Sequence, residues 1–193
     1  IFWTIETLVI PLATVNASSV TAPSPTQSPK PVNPIPTLVP NIDLSEEQID
    51  SLLSIAREAI AKGLEGDRHW RPDLKALPER LCRPGACFVT LFTSGELHGC
   101  IGSVEPHQPL AQDAAKNAIS AAFADPRFPM LRTDELDYTA VEISILSPLQ
   151  EIQFDGLDHL IEQIQPGEDG VLVERGRSRG LLLPQVWEKI TDP

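Results

Sequence analysis

Two apolar runs, Ala86-Cys87-Phe88-Val89-Thr90-Leu91-Phe92 and Leu97-His98-Gly99-Cys100-Ile101-Gly102-Ser103, are separated only by Thr93-Ser94-Gly95-Glu96. Runs of this kind, joined through a short turn containing glycine, predict a β-hairpin. A hairpin commits the chain to antiparallel pairing and, through the two-residue side-chain period, to which residues share a face. In the second run that period puts His98, Cys100 and Gly102 on one face and Leu97, Gly99 and Ile101 on the other.

The elements around the hairpin set the fold class. Ser45-Glu46-Glu47-Gln48 is a capping box, with Leu44 and Ile49 placed as its hydrophobic staple. Ile49, Leu52, Leu53, Ala56, Ala59 and Ile60 then recur at helical spacing, predicting a helix over 45–62 with Gly63 as its stop. Residues 64–84 read as a long irregular connection. Pro109 opens a second helix, running to about Ala124, whose alanines leave a smooth face for close packing. It ends at Asp125-Pro126. Val141, Ile143 and Ile145 alternate with Glu142 and Ser144 as in a half-buried strand, and a short helix follows near 157–164. Val171-Leu172-Val173 and Leu181-Leu182-Leu183 predict a second hairpin around a tip carrying Arg175, Arg177 and Arg179. Strands joined by hairpins as well as by helices make an α+β fold with a mainly antiparallel sheet and flanking helices.

Residues 1–40 stand apart, with 8 of the 19 prolines, none of the 11 glycines, and only two charges, Glu6 and Lys30. Ser18–Pro31 reads as an extended, polyproline-prone linker that buries too little to fold. Ile1–Val15 reads as an apolar leader: the end of a membrane segment, a damaged signal peptide or the tail of an upstream element, too short to span a bilayer. The missing initiator Met fits a fragment or a misassigned start. The expected organisation is therefore a disordered leader and linker over 1–40 and one folded domain over 41–193.

The formal charge of −12 argues against nucleic acid as a partner, because phosphate binding needs a basic field. Three cysteines make no disulfide framework, which fits a reducing, cytoplasmic compartment. Cys82, Cys87, His98 and Cys100 are four soft ligands, but their spacing lacks the paired knuckles of structural zinc sites, so no metal is expected. No phosphate loop, dinucleotide fingerprint or radical-SAM cysteine triplet is present, and no cofactor is expected either.

What remains is a thiol. An imidazole on the face of a cysteine can take its proton or, as imidazolium, lower its pKa, which makes Cys100 a candidate nucleophile and His98 its base or cation. Gly99 and Gly102 leave room for a ligand or another backbone to approach. Arg127, on the Pro-bracketed turn Asp125-Pro126-Arg127-Phe128-Pro129, suits a carboxylate or phosphate; an internal salt bridge is the competing reading. Glu142 is a candidate proton carrier.

Five blocks complete the picture: Leu97–Ser103, Ala122-Phe123-Ala124-Asp125-Pro126-Arg127-Phe128, Val141–Ser147, Pro166-Gly167-Glu168-Asp169-Gly170 and Leu182-Leu183-Pro184-Gln185-Val186-Trp187. Together and in this order they resemble the AMMECR-one domain family over about residues 45–193. The resemblance implies a two-lobed α+β domain with a cleft near Gly99–Gly102, a cytosolic protein, and Memo-like and radical-SAM proteins as partners. It adds Gln185 beside Arg127 as a substrate-orienting residue. His98 stands where the family usually has Arg, and the family domain normally continues past Pro193 into a closing helix, so a C-terminally truncated domain is expected. The functional expectation is a thiol-dependent modifying enzyme or subunit acting on a small molecule or peptide, against a non-catalytic binding or scaffold module whose Gly-Cys-Ile-Gly strand is structural.

Overall fold

The computed structural model describes residues 2–9, 44–147, 151–165, 169–175 and 178–182. Strand β1 (Phe2–Val9) is followed by helix α1 (Glu46–Leu64), the short helix α2 (Glu79–Cys82), β2 (Pro84–Gly85), β3 (Cys87–Thr93), β4 (Glu96–Gly102) and β5 (Gln108–Pro109). Helix α3 (Leu110–Phe123), β6 (Thr139–Leu146), α4 (Leu157–Glu162), β7 (Asp169–Arg175) and β8 (Ser178–Leu182) complete the order. Six strands form one antiparallel sheet, β4-β3-β6-β1-β7-β8, and β2 pairs with β5. The fold is α+β, with helices flanking an antiparallel sheet.

Both predicted hairpins form. Between β3 and β4 the chain reverses through Ser94 and Gly95, both at positive φ (53° and 85°), the backbone of a tight primed turn. In the second hairpin the pairing runs from Val171↔Leu182 to Arg175↔Ser178. The Ser45 capping box also forms: its hydroxyl accepts from the Gln48 amide N–H at 3.3 Å, while the Gln48 side chain accepts from the Ser45 N–H at 3.0 Å.

Two expectations are corrected. The apolar leader is a strand: β1 sits inside the sheet, paired with β6 from Ile5↔Leu146 to Val9↔Glu142 and with β7 from Phe2↔Val171 to Thr4↔Asp169. Phe, Trp, Thr, Ile and Val are the residues that favour a pleated backbone, and ladders on both sides occupy what would otherwise be two open edges. The linker that follows it lies outside the described residues. Gly63 does not stop α1; it is buried within the helix, where a Cβ would lie 2.3 Å from Cε2 of Phe123. The left-handed residue comes later, at Gly66 (φ 103°).

The core lies between the two long helices and one face of the sheet. Leu52, Ala56, Ala59 and Ile60 of α1 and Ala111, Ala114, Ala115 and Ala118 of α3 pack with Cys87, Val89, Leu91, Val141, Ile143 and Ile145, all buried. The alanine face of α3 keeps side-chain bulk low, which lets α1 and the sheet approach its backbone closely. Among the described residues no helix is long and apolar enough to cross a membrane.

Candidate functional site

Strand register distributes the candidate residues between two faces. Pairing across β4, β3 and β6 gives the rows Ile101–Val89–Ile143 and Gly99–Leu91–Val141, which face the helices, and the row Cys100–Thr90–Glu142 between them. Directly paired residues share a face, so Cys100, Thr90 and Glu142 stand side by side on the face turned away from α1 and α3. Phe88 and Phe92 flank Thr90 along β3 on that face, and all five are half-buried.

The thiol's partner is a hydroxyl that sequence reasoning missed. Thr90 Oγ1 donates to Cys100 Sγ at 3.3 Å. Glu142, across Thr90 from the thiol, is pushed up from the ordinary carboxylate value by burial, so it keeps its proton to higher pH than a solvated glutamate. Cys87, by contrast, is fully buried, and burial together with the neighbouring Asp113 pushes its thiol well up. It is an inert structural thiol. Cys82 lies half-buried with Sγ 3.4 Å from the Leu74 carbonyl oxygen.

His98 does not take the place expected of it. The register slips between Leu91, which pairs with Gly99, and Phe92, which pairs with Leu97, leaving His98 as the extra residue of a β-bulge. The bulge interrupts the alternation that would have set His98 on the face of Cys100. His98 is 9% exposed, and its Nε2 is buried with no hydrogen-bond partner among the described residues.

Arg127 comes to Cys100, but through Asp125. Arg127 Nε and Nη2 meet Asp125 Oδ1 and Oδ2 at 2.9 and 2.7 Å, and Nη2 also donates to the Cys100 carbonyl oxygen at 2.9 Å. Asp125 Oδ2 accepts the Cys100 N–H at 2.9 Å. Of the two readings of Arg127, the internal salt bridge is the one formed, and it holds the Cys100 peptide from both ends at the exposed edge of β4. The guanidinium, itself about half exposed, stays beside the thiol and is held charged first by Asp125.

The Arg127 guanidinium beside Asp125 holds that carboxyl well below the usual carboxylate range; burial opposes this, and the N–H groups of Cys100 and Arg127 add to it. A carboxyl whose folded pKa is depressed contributes stability above its unfolded value, and that contribution disappears as pH falls through the folded value. The melting-temperature gap between wild type and Asp125→Asn is therefore expected to be full at neutral pH and to narrow below about pH 4, measured by thermal denaturation at a series of pH values.

The two glycines of the strand serve packing. A Cβ on Gly99 would lie 2.2 Å from the Ala121 carbonyl oxygen, and one on Gly102 would lie 2.3 Å from the Phe88 ring. Another backbone, that of α3, makes the close approach at Gly99. Gln185 and the side chains of Arg175, Arg177 and Arg179 lie outside the described residues. Among the described residues no three His, Cys, Asp or Glu side chains gather as metal ligands.

A second polar cluster, also missed, lies behind the hairpin. Asp113 is fully buried in the first turn of α3. Its Oδ1 accepts from Ser103 Oγ at 2.9 Å and Gln108 Nε2 at 2.8 Å, and its Oδ2 from the Cys87 N–H at 3.1 Å and Asn117 Nδ2 at 3.0 Å. The readable signal was Asp113 and Asn117, two polar residues four apart beside Leu110, Ala114 and Ala121 on the packed stripe of α3.

Fold and site together define a class: an antiparallel α+β domain backed by two helices on one face, with a hydroxyl-bonded cysteine and a protonatable carboxyl on the other. Residues 53–192 match the AMMECR1 family, and the chain belongs to it. It is 44% identical to a protein of Methanothermobacter thermautotrophicus over 144 residues, 74% of each chain. A Methanopyrus kandleri protein is 38% identical, over 76% of this chain and 74% of its own. The crystal structure of an uncharacterized protein from Pyrococcus horikoshii superposes with a TM-score of 0.66 at 36% identity, covering 74% of this chain and 72% of that one.

Proposed function

We propose that this chain is a thiol-dependent modifying enzyme, or the enzyme subunit of a modification system, acting on a small molecule or peptide at the sheet face that carries Cys100. The observation behind this reading is the row Cys100–Thr90–Glu142, in which a hydroxyl bonds the sulfur at 3.3 Å beside a carboxyl raised by burial. Cys100 is the nucleophile. Thr90 stabilises the thiolate by donating to it, and the Arg127 guanidinium supplies positive charge nearby. Glu142 carries a proton to or from the reacting group. Phe88 and Phe92 offer apolar surface to the body of the substrate. His98 acts on the strand from its bulge rather than as the base, and Gln185 completes substrate orientation as the family resemblance implies. Memo-like and radical-SAM proteins are the partners that resemblance points to, in the cytoplasm.

The test is the pH dependence of thiol alkylation on the full chain. Cys100 is expected to react fastest of the three thiols at neutral pH. Thr90→Val, which keeps the shape and removes the donor held 3.3 Å from the sulfur, is expected to slow alkylation at neutral pH about 3- to 10-fold. A Cys100 no more reactive than Cys82, or one indifferent to Thr90→Val, overturns the thiol-enzyme reading in favour of a binding module.

A further inference from the structure

Away from the cysteine row, a cavity of about 500 Å³ opens where the C-terminal ends of α1 and α3 meet the segment 131–134. Leu64, Phe123 and Leu131 supply an apolar wall, and Arg68, Arg132 and Asp134 supply charge. The two guanidiniums differ. Arg132 is engaged at both ends by Asp134, Nε to Oδ1 at 3.0 Å and Nη2 to Oδ2 at 2.7 Å. Arg68 lies over the Phe123 ring, 4.7 Å from its centroid, and among the described residues Nη2 meets only the thioether of Met130, at 3.5 Å. Among the described residues no carboxylate pairs with it. A thioether is a weak acceptor, so a planar fork of donors is held in place by an aromatic face with most of its bonding capacity unspent.

We propose that this cavity binds a monocarboxylate with an apolar body, its carboxylate on Arg68 and its body against Leu64, Phe123 and Leu131. The charge count selects one negative charge. Two arginines and one aspartate leave a single net positive charge, within a chain of formal charge −12. The carbonyl ends of α1 and α3 add partial negative charge at the same place. The carbonyl ends oppose a phosphate dianion more strongly than a monoanion, and a carboxylate takes the guanidinium fork in two parallel hydrogen bonds. Volumes of this order accommodate small ligands. Phe123 can lie under Arg68 because Gly63, which also lines the cavity, leaves the ring its space.

The acid could be free or the C-terminus of a peptide, and one titration separates the two. Amide chemical shifts of the full chain are followed while hexanoate, hexanamide, and a short leucine-terminated peptide with a free or an amidated C-terminus are added. Hexanoate or the free peptide is expected to give saturable shifts centred on Leu64, Arg68 and Leu131, while hexanamide and the amidated peptide do not. The tighter of the two acids identifies the source. Arg68→Gln, at an exposed position, is expected to weaken binding at least about tenfold, and Asp134→Asn to tighten it. Amides that bind as well as acids, affinity unchanged in Arg68→Gln, or no saturation up to tens of millimolar each overturn the proposal.

Discussion

Asp113→Ala is expected to lower the stability of the fold by about 3–5 kcal/mol, because it strips the acceptor from a buried set of donors. The carboxylate takes hydrogen bonds from the Cys87 N–H, Ser103 Oγ, Gln108 Nε2 and Asn117 Nδ2, and Asp113 has no exposed surface. Asn117 keeps a second acceptor, the Cys87 carbonyl oxygen at 3.0 Å, so its loss is partial. Among the described residues the Cys87 N–H meets no acceptor besides Asp113, and the full desolvation penalty falls there. For a domain of this size the loss corresponds to a drop of about 10 °C or more in melting temperature, read by calorimetry or circular dichroism. Asp113→Asn, which keeps the shape and one acceptor oxygen, is expected to lose about half as much. Equal losses in the two variants would show that volume, rather than the hydrogen bonds, sets the cost.

The same network shows what was legible in the sequence and what was not. Hairpins and helices were readable because their signals are local: Ser45 and Gln48 cap within four residues, and Thr93–Glu96 is a complete turn. The α+β class follows from those elements and their order. The site was only partly readable, because its geometry depends on register between strands remote in sequence. Cys100 and Glu142 were found as residues, but Thr90, which lies between them, becomes visible only when β3 is placed between β4 and β6. His98 was misplaced because a bulge adds one residue to a strand without leaving a mark in its apolar pattern. β1 was missed because nothing local shows where an isolated apolar segment pairs, and its ladder partners lie more than a hundred residues away.

Glycine at position 99 provides the sharpest test of whether the Gly-Cys-Ile-Gly strand is shaped by packing or by a ligand. Two terms of opposite sign act when a methyl group is added. Alanine stabilises through the unfolded chain by about 0.4–1 kcal/mol where the native backbone accepts it. Against this, the new Cβ would stand 2.2 Å from the Ala121 carbonyl oxygen and 3.0 Å from its carbon, so β4 and α3 must separate. Backbone cannot swing aside as a side-chain tip can, and forced overpacking of this kind costs about 1–3 kcal/mol or more. Steric cost wins, and Gly99→Ala is expected to lower stability by about 1–2 kcal/mol net. The displacement also draws Cys100 from the Asp125 carboxylate that accepts its N–H at 2.9 Å, so Cys100 alkylation should change in the same variant. Gly180→Ala, where among the described residues no atom comes within 4 Å of the added Cβ, is the control and is expected to be neutral to stabilising, by at most about 1 kcal/mol. Were Gly99 shaped by a ligand instead, Gly99→Ala would melt with wild type and differ only in what it binds, because nothing in the folded chain would then occupy the space of the missing methyl.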